Sequence, residues 1–162
     1  MLQVCLHTAK HSYCRAPGFR LHSDVDRIVI YQEVDWKSFV KKVKELHLKT
    51  AVYFSLFFAH ELLKTPIPAS VLTELEPSAP KRKLILTFIN KAGLFGQNKS
   101  KFSKLGYIVF GLLLFDNIAE VMTAIVPSKH EIKRKYNFSN NLLLPFFYLV
   151  RIKELLFKRA KL

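Results

Sequence analysis

The stretch AVYFSLFFAHELL, residues 51–63, most constrains how this chain can fold, because it is apolar on almost every side when drawn as a helix. A helix without a polar face is stable only when other elements cover it. The chain has 162 residues, enough for one domain with a sizeable core and too few for two ordinary ones. We therefore expect a single helical domain over residues 1–162, with residues 51–63 as its most buried helix.

Start signals for helices recur along the rest of the chain. Asp35 precedes a segment whose apolar residues fall at helical spacing, which predicts an N-cap at this position. Ser128 and Glu131 have the spacing of a capping box, and a final helix is predicted from about residue 144 to residue 161. Strand-like alternation is not convincing anywhere outside residues 22–31. The patterns together predict an all-α fold, a compact bundle of about six to eight helices.

The segment Tyr107–Val126 is the strongest candidate for a membrane span. It carries Asp116, Asn117 and Glu120 near its centre, and one central aspartate costs about 2.5–3.5 kcal/mol on membrane-insertion scales. These polar residues recur on one side of a helix, opposite an apolar side. We therefore predict a bundle helix with a narrow polar stripe over 107–126, and no transmembrane segment.

The charge of the chain is strongly positive. It has 26 basic and 12 acidic residues, a formal net charge of +14. Such an excess suits a polyanionic neighbour: a nucleotide, a nucleic acid, an anionic membrane face or an acidic partner domain. The alternative is a basic surface that is simply solvated. The cysteines, Cys5 and Cys14, have no disulfide-scaffold spacing, and no signal peptide is evident, which predicts a cytoplasmic protein.

The most electropositive stretch is residues 81–104, with seven basic residues and no acidic one. Phe88, Phe95 and Phe102 are interspersed among the cations, so the stretch can be interpreted as a nucleic-acid-binding module that combines phosphate contacts with base stacking. Phenylalanines at helical spacing are, however, typical of a core whose other side carries solvated lysines. The sequence leaves both interpretations open.

The stretch HSDVDRIVIY, residues 22–31, has two interpretations. On a strand, Asp24 and Asp26 would share one face and could hold the metal ions of a small nucleotidyltransferase. On a helix, Leu21, Val25 and Ile28 would form an apolar face, while Asp24 would point away from it. The pair lacks an upstream Gly-Ser turn and a sheet to carry a third carboxylate, so we favour the helix.

Four short stretches occur in an order that resembles a known family. They are LHTAKH at residues 6–11, DW at 35–36, AHELLKTPIP at 59–68 and PSKHEIKRKY at 127–136. Together they resemble the helical C-terminal region of a family of bacterial nucleotidyltransferase-like proteins, over roughly residues 2 to 155. In that family a catalytic α/β domain with its own paired aspartates precedes the helical region. The stretch SYCRAPGFRLH, residues 12–22, is longer than the family pattern before the helix.

The resemblance implies that the catalytic α/β domain is not present in this chain. The chain would be a fragment, a separately encoded half or a degenerate paralogue that packs against such a domain. Magnesium and a nucleoside triphosphate are implied for the complete family protein, and no cofactor for this chain. Asp24 falls on an aspartate of the family's helical region, which implies a structural or interdomain role rather than metal binding.

His7, Lys10 and His11 are the other candidate contact residues. At i, i+3 and i+4 they share one helix face, which the resemblance suggests would face the nucleotide site of the α/β domain. There a lysine can meet phosphate as a point charge and a histidine can donate a hydrogen bond. One alternative is a polar face packed against a neighbouring domain. Another is a metal pair formed by His7 and His11, for which only His22 offers a third ligand.

Overall fold

The regular structure of this chain is helical throughout the described residues. The computed structural model describes residues 1–13, 18–93, 102–117, 119, 121–122 and 127–157. Within these residues there are nine α-helices and no strand, against about six to eight helices predicted. The all-α fold class is thus confirmed. The chain divides into two units, Met1–Asp116 and Asn117–Leu162.

Among the elements that the structure describes, seven helices and one short 3-10 turn belong to the first unit, and two helices and a second 3-10 turn belong to the other. The first unit contains α1 (Leu2–His11), a 3-10 turn (Gly18–Leu21), α2 (His22–Tyr31), α3 (Trp36–Glu45), α4 (Lys49–Leu63), α5 (Ala69–Leu75), α6 (Ala79–Ala92) and α7 (Lys104–Leu113). The second contains α8 (Lys129–Tyr136), a 3-10 turn (Asn141–Leu143) and α9 (Leu144–Phe157).

Helix α4 is the centre of the first unit. Nine of its residues are buried, including Phe54 and Leu56, which have no exposed surface. Helices α1 and α2 pack most extensively against it. Fully burying one large apolar side chain contributes about 1.5–3 kcal/mol, so this helix supplies much of the hydrophobic stabilisation of the unit. The prediction that residues 51–63 form the most buried helix is confirmed, with the helix beginning two residues earlier at Lys49.

Two predicted helix caps are present. The Asp35 carboxylate accepts hydrogen bonds from the N–H of Ser38 at 3.0 Å and from its hydroxyl at 2.7 Å. These bonds, the N–H first, lower the pKa of Asp35 because they favour the charged carboxylate. In the second unit, Ser128 and Glu131 form the complete capping box at the start of α8. The Ser128 hydroxyl and then its N–H lower the pKa of Glu131.

The prediction of one continuous helix over residues 107–126 is wrong at Leu114. Helix α7 ends at Leu113 and the chain then bends. Two distant interactions hold this bend: the Asp116 carboxylate accepts from backbone N–H groups of α4, and the Lys81 ammonium donates to the Phe115 carbonyl at 2.5 Å. Residues 118, 120 and 123–126 lie outside the described residues. Among the described residues, no helix has the length and hydropathy needed to cross a membrane.

The second unit has its own small core. Ile132 of α8 and Leu144 of α9 are buried, and the Phe147 ring stacks on the rings of Tyr136 and Phe138, with centroids 4.9 and 4.3 Å away. Tyr148 donates a hydrogen bond to the Pro127 carbonyl at 2.8 Å. Helix α9 begins at residue 144 as predicted and is described to residue 157; the predicted continuation to 161 lies outside the described residues.

Candidate interaction face on the first helix

The exposed side of α1 carries the three predicted contact residues of the amino-terminal segment. His7 and Lys10 are exposed and His11 is half-buried. The rings of His7 and His11, one turn apart, have centroids 4.6 Å from each other. The helical spacing therefore brings these three side chains onto one face, as the sequence predicts. Their role in binding stays a prediction.

The opposite side of α1 is fixed to the rest of the unit. Cys5, Thr8 and Ala9 are buried there. The Ser55 hydroxyl of α4 donates to the Cys5 carbonyl at 2.6 Å, and the Thr8 hydroxyl donates to the Leu21 carbonyl at 3.2 Å. Because both bonds are made on the inner side, α1 holds its outer face in a fixed position. Burial raises the pKa of the Cys5 thiol to about 12, so this thiol stays protonated at neutral pH.

The two aspartates of the segment 22–31 lie on a helix, so the strand interpretation is wrong at these positions. Helix α2 covers His22–Tyr31, with Val25 buried in the core. Residues two apart on a helix point in nearly opposite directions, unlike on a strand. Asp24 is exposed, whereas Asp26 is half-buried and accepts a 2.7 Å hydrogen bond from the hydroxyl of Thr65. The two carboxylates thus lack the shared strand face that a metal pair would need.

This difference predicts unequal effects of two substitutions on stability. Asp26→Ala should lower the free energy of unfolding by about 1–2 kcal/mol, because the buried Thr65 hydroxyl loses a charged acceptor. That hydroxyl keeps the Ala59 carbonyl as a second acceptor at 3.0 Å, which limits the loss. Asp24→Ala should change stability by about 0.5 kcal/mol or less, since the side chain is exposed.

Urea unfolding followed by Trp36 fluorescence measures both changes, because Trp36 packs against the core of the same unit. Equal losses in the two variants, or a larger loss in Asp24→Ala, would contradict the assignment of Asp26 as the structural member of the pair.

A buried polar network that sequence reasoning missed joins Tyr13, just after α1, to α2 and α4. The Tyr13 hydroxyl lies 3.1 Å from Nε2 of His22 and 3.1 Å from the Phe54 carbonyl oxygen. Nδ1 of His22 lies 3.3 Å from the Phe19 carbonyl, which can only accept, so neutral His22 carries its hydrogen on Nδ1. Nε2 is then an acceptor that competes with the Phe54 carbonyl for the one hydroxyl proton of Tyr13.

Burial controls the charge of this network. His22 and Tyr13 are almost completely buried. Desolvation lowers the pKa of His22 to about 4 and raises the pKa of Tyr13 well above its usual value, so both are neutral near pH 7.

Both ring nitrogens of His22 are engaged in the network, so His22 is not placed to serve as a third metal ligand for His7 and His11. Within the described residues, no three His, Cys, Asp or Glu side chains come together as a metal site.

The basic stretch 81–104 is described at both ends but not at residues 94–101. Phe88 and Phe102 pack against the core, and their rings contact each other and the buried Phe110. These two rings therefore have a structural use, as the core interpretation expects. Phe95 lies outside the described residues. Phosphate contacts by the lysines of this stretch stay a prediction.

The fold and these features describe an all-α protein with a polar, partly cationic face on its first helix. Residues 1–64 match the model of a family described as uncharacterised nucleotidyltransferase. The matched segment contains α1 to α4 and ends one residue after α4, so it includes all five predicted site residues: His7, Lys10, His11, Asp24 and Asp26. The match supports the resemblance to this family over residues 1–64, which is less than half of the chain. No curated protein and no solved structure matches the chain.

Proposed function

We propose that this chain is the helical accessory region of a nucleotidyltransferase-family protein and acts beside an α/β domain that carries the metal-dependent chemistry. The family match over residues 1–64 supports the relation. The helical structure supports the accessory role, since the described residues contain no strand on which to hold paired carboxylates. Magnesium and the nucleoside triphosphate belong, in this proposal, to the active site of the α/β domain.

The observation that carries the proposal is the geometry of α1. Its outer face presents His7, Lys10 and His11 within the family-matched segment, while its inner face is bonded to α4 and to the 3-10 turn. A site on a rigid element positions its groups more accurately than a site on a loop. Here a lysine ammonium and two imidazoles are held within one turn of each other. This set would be able to contact the oxygens of a triphosphate bound beside it.

Binding of MgATP to the full chain tests this role directly. Isothermal titration calorimetry at low salt should detect weak binding, because only part of the proposed site is present. The variant His7→Ala/Lys10→Ala/His11→Ala should weaken it about tenfold or more, since charge-assisted hydrogen bonds to phosphate contribute about 1.5–3 kcal/mol each at best. The three residues lie on the exposed face, so circular dichroism should show an unchanged fold.

A matched control variant is Lys37→Ala/His130→Ala, which removes an exposed lysine and an exposed histidine from other helices. It should bind MgATP like the wild type. Equal weakening in the control and in the α1 variant would mean that net charge alone attracts the nucleotide, and would contradict the proposal.

A complete small nucleotidyltransferase that uses Asp24 and Asp26, which the helical placement of the two carboxylates disfavours, is the outcome that would contradict this proposal. An assay of nucleotide transfer with magnesium separates the two functions, with the chain alone and with Asp24→Ala. We expect no turnover from the chain alone. Turnover that requires magnesium and is lost in Asp24→Ala would overturn the accessory role. Steeply salt-dependent RNA binding that survives the α1 triple substitution would instead favour a nucleic-acid-binding module.

A further inference from the structure

Helix α9 in the second unit and the turn before it expose large apolar side chains on one side. Leu142, in the 3-10 turn before the helix, is 85% exposed, and Phe146 and Leu149 are 59% and 66% exposed. The exposed Lys153 continues the same side one turn later, because residues 146, 149 and 153 are three and four positions apart. We call these four residues, Leu142, Phe146, Leu149 and Lys153, the outer stripe.

Among the side chains of α9 that the structure describes, those on the inner side include more polar groups than the outer stripe does. It packs Leu144 and Phe147, but it also carries Tyr148, Arg151 and Glu154, which are all partly buried. Tyr148 bonds to the Pro127 carbonyl, and Glu154 accepts hydrogen bonds from Lys135 and Tyr136. A helix of a globular protein usually turns its apolar stripe towards the core. An exposed stripe of large apolar side chains on a helix that keeps polar groups inside marks a binding surface.

The net charge of the second unit indicates which kind of surface it can bind. Residues 117–162 contain nine lysines and arginines and three glutamates, a formal charge of +6. Of the glutamates in the described residues, Glu131 is used in the capping box and Glu154 pairs with Lys135. Lys129, Arg134 and Lys153 are exposed. The surface of this unit thus combines large exposed apolar side chains with an excess of positive charge.

We propose that the outer stripe binds an anionic lipid surface, with α9 lying in the plane of the membrane interface. Leucine and phenylalanine side chains on one side of a helix enter the boundary between headgroups and acyl chains, and flanking lysines contact anionic headgroups. Lys153 can extend its aliphatic stem along the apolar stripe while its ammonium stays at headgroup level. This role goes beyond the proposed nucleotide-related function, because it depends on α9 and not on α1.

Co-sedimentation of the full chain with vesicles tests the proposal. The probes are phosphatidylcholine vesicles with about one-third phosphatidylserine, and vesicles of phosphatidylcholine alone. Binding should be about tenfold or more tighter to the anionic vesicles and should weaken as salt screens the charges. The variant Leu142→Gln/Phe146→Gln/Leu149→Gln should bind the anionic vesicles about tenfold or more weakly, because it removes the inserting groups without changing the charge.

The matched control is Ile30→Gln/Leu84→Gln/Leu105→Gln, which removes three exposed apolar side chains from the first unit. It should bind like the wild type, and circular dichroism should show that both variants keep their helices. A second measurement uses the double variant Phe146→Trp/Trp36→Phe, in which residue 146 is the single tryptophan. Its emission maximum should shift to shorter wavelength when anionic vesicles are added, because the side chain enters an apolar environment.

Three results would overturn the proposal. The first is no sedimentation of the wild type with anionic vesicles at low salt. The second is equal loss of binding in the outer-stripe variant and in the control variant. The third is a wild-type dimer that becomes monomeric in the outer-stripe variant without any effect on vesicle binding, which would assign the stripe to a second copy of this chain.

Discussion

The free energy of unfolding of the first unit should fall by about 3 kcal/mol as the pH decreases from about 6.5 to about 4, and His22→Gln should remove most of this change. The cause is the buried position of His22. Its pKa is about 4 in the folded chain, against an ordinary value of 6.5. A glutamine keeps an amide that can donate and accept within the network but has no titratable group in this range.

The sign follows from where protons bind. Between pH 6.5 and pH 4 the unfolded chain protonates its exposed histidine while the folded chain keeps His22 neutral. The unfolded state binds more protons there, so stability rises with pH across this window and is lost as the pH falls. Above about 6.5 both states are neutral and this contribution to the slope disappears. Asp35, whose pKa is lowered in the folded chain, adds a loss in the same direction only at more acidic pH.

Urea unfolding at several pH values, followed by Trp36 fluorescence, measures this effect. His7→Gln is the matched control, because it removes an exposed histidine of the same unit. The control should keep the wild-type pH dependence. If His22→Gln and the wild type lose the same stability between pH 6.5 and 4, the buried neutral His22 is not the source of the pH dependence.

Asp116→Ala should lower the free energy of unfolding by about 2 kcal/mol, although Asp116 lies 66 residues after Thr50 in the first turn of the helix that it caps. Its two carboxylate oxygens accept from the N–H groups of Lys49 and Thr50 at 2.5 and 2.8 Å. Leu48, the residue at the N-cap position of α4, supplies no side-chain acceptor. The aspartate therefore satisfies two otherwise unpaired donors and places a negative charge at the positive end of the central helix.

Two further substitutions separate the contributions to this effect. Asp116→Asn keeps one oxygen acceptor but removes the charge, so it should cost about half as much as alanine. Asp35→Ala removes a local cap from helix α3 and should lower the free energy of unfolding less than Asp116→Ala does, because Asp35 is exposed. Urea unfolding followed by Trp36 fluorescence again gives the values. A change below about 0.5 kcal/mol in Asp116→Ala would show that solvent replaces the cap without loss.

The candidate face on α1 could be predicted from sequence because it depends on helical spacing alone. Residues at i, i+3 and i+4 share a face in any helix, so the grouping of His7, Lys10 and His11 follows once the segment is helical. The same spacing argument placed Val25 inside and Asp24 outside on α2, which the structure confirms. The role of Asp26 could not be predicted, because its partner Thr65 follows the end of α4, 39 residues away.

The sequence contains one indication that α4 is capped by a distant side chain. Helix α4 begins after Leu48, which cannot cap it, so its first-turn N–H groups needed an acceptor from elsewhere. The apolar and polar periodicity around Asp116 instead predicted a continuous helix over residues 107–126. Periodicity indicates which side of a helix is apolar. It does not indicate that one of the polar side chains caps another helix.

The sequence by itself determined the all-α class, the burial of residues 51–63, the local caps at Asp35 and Ser128, and the helical face of α1. Each of these depends on residues within about one to four turns, whose relative positions a helix prescribes. The tertiary structure alone decided the network of Tyr13 and His22, the partner of Asp26, the end of α7 and the outward apolar side of α9. Each of these features depends on which segments of the chain pack against each other, and residues far apart in the sequence decide that packing.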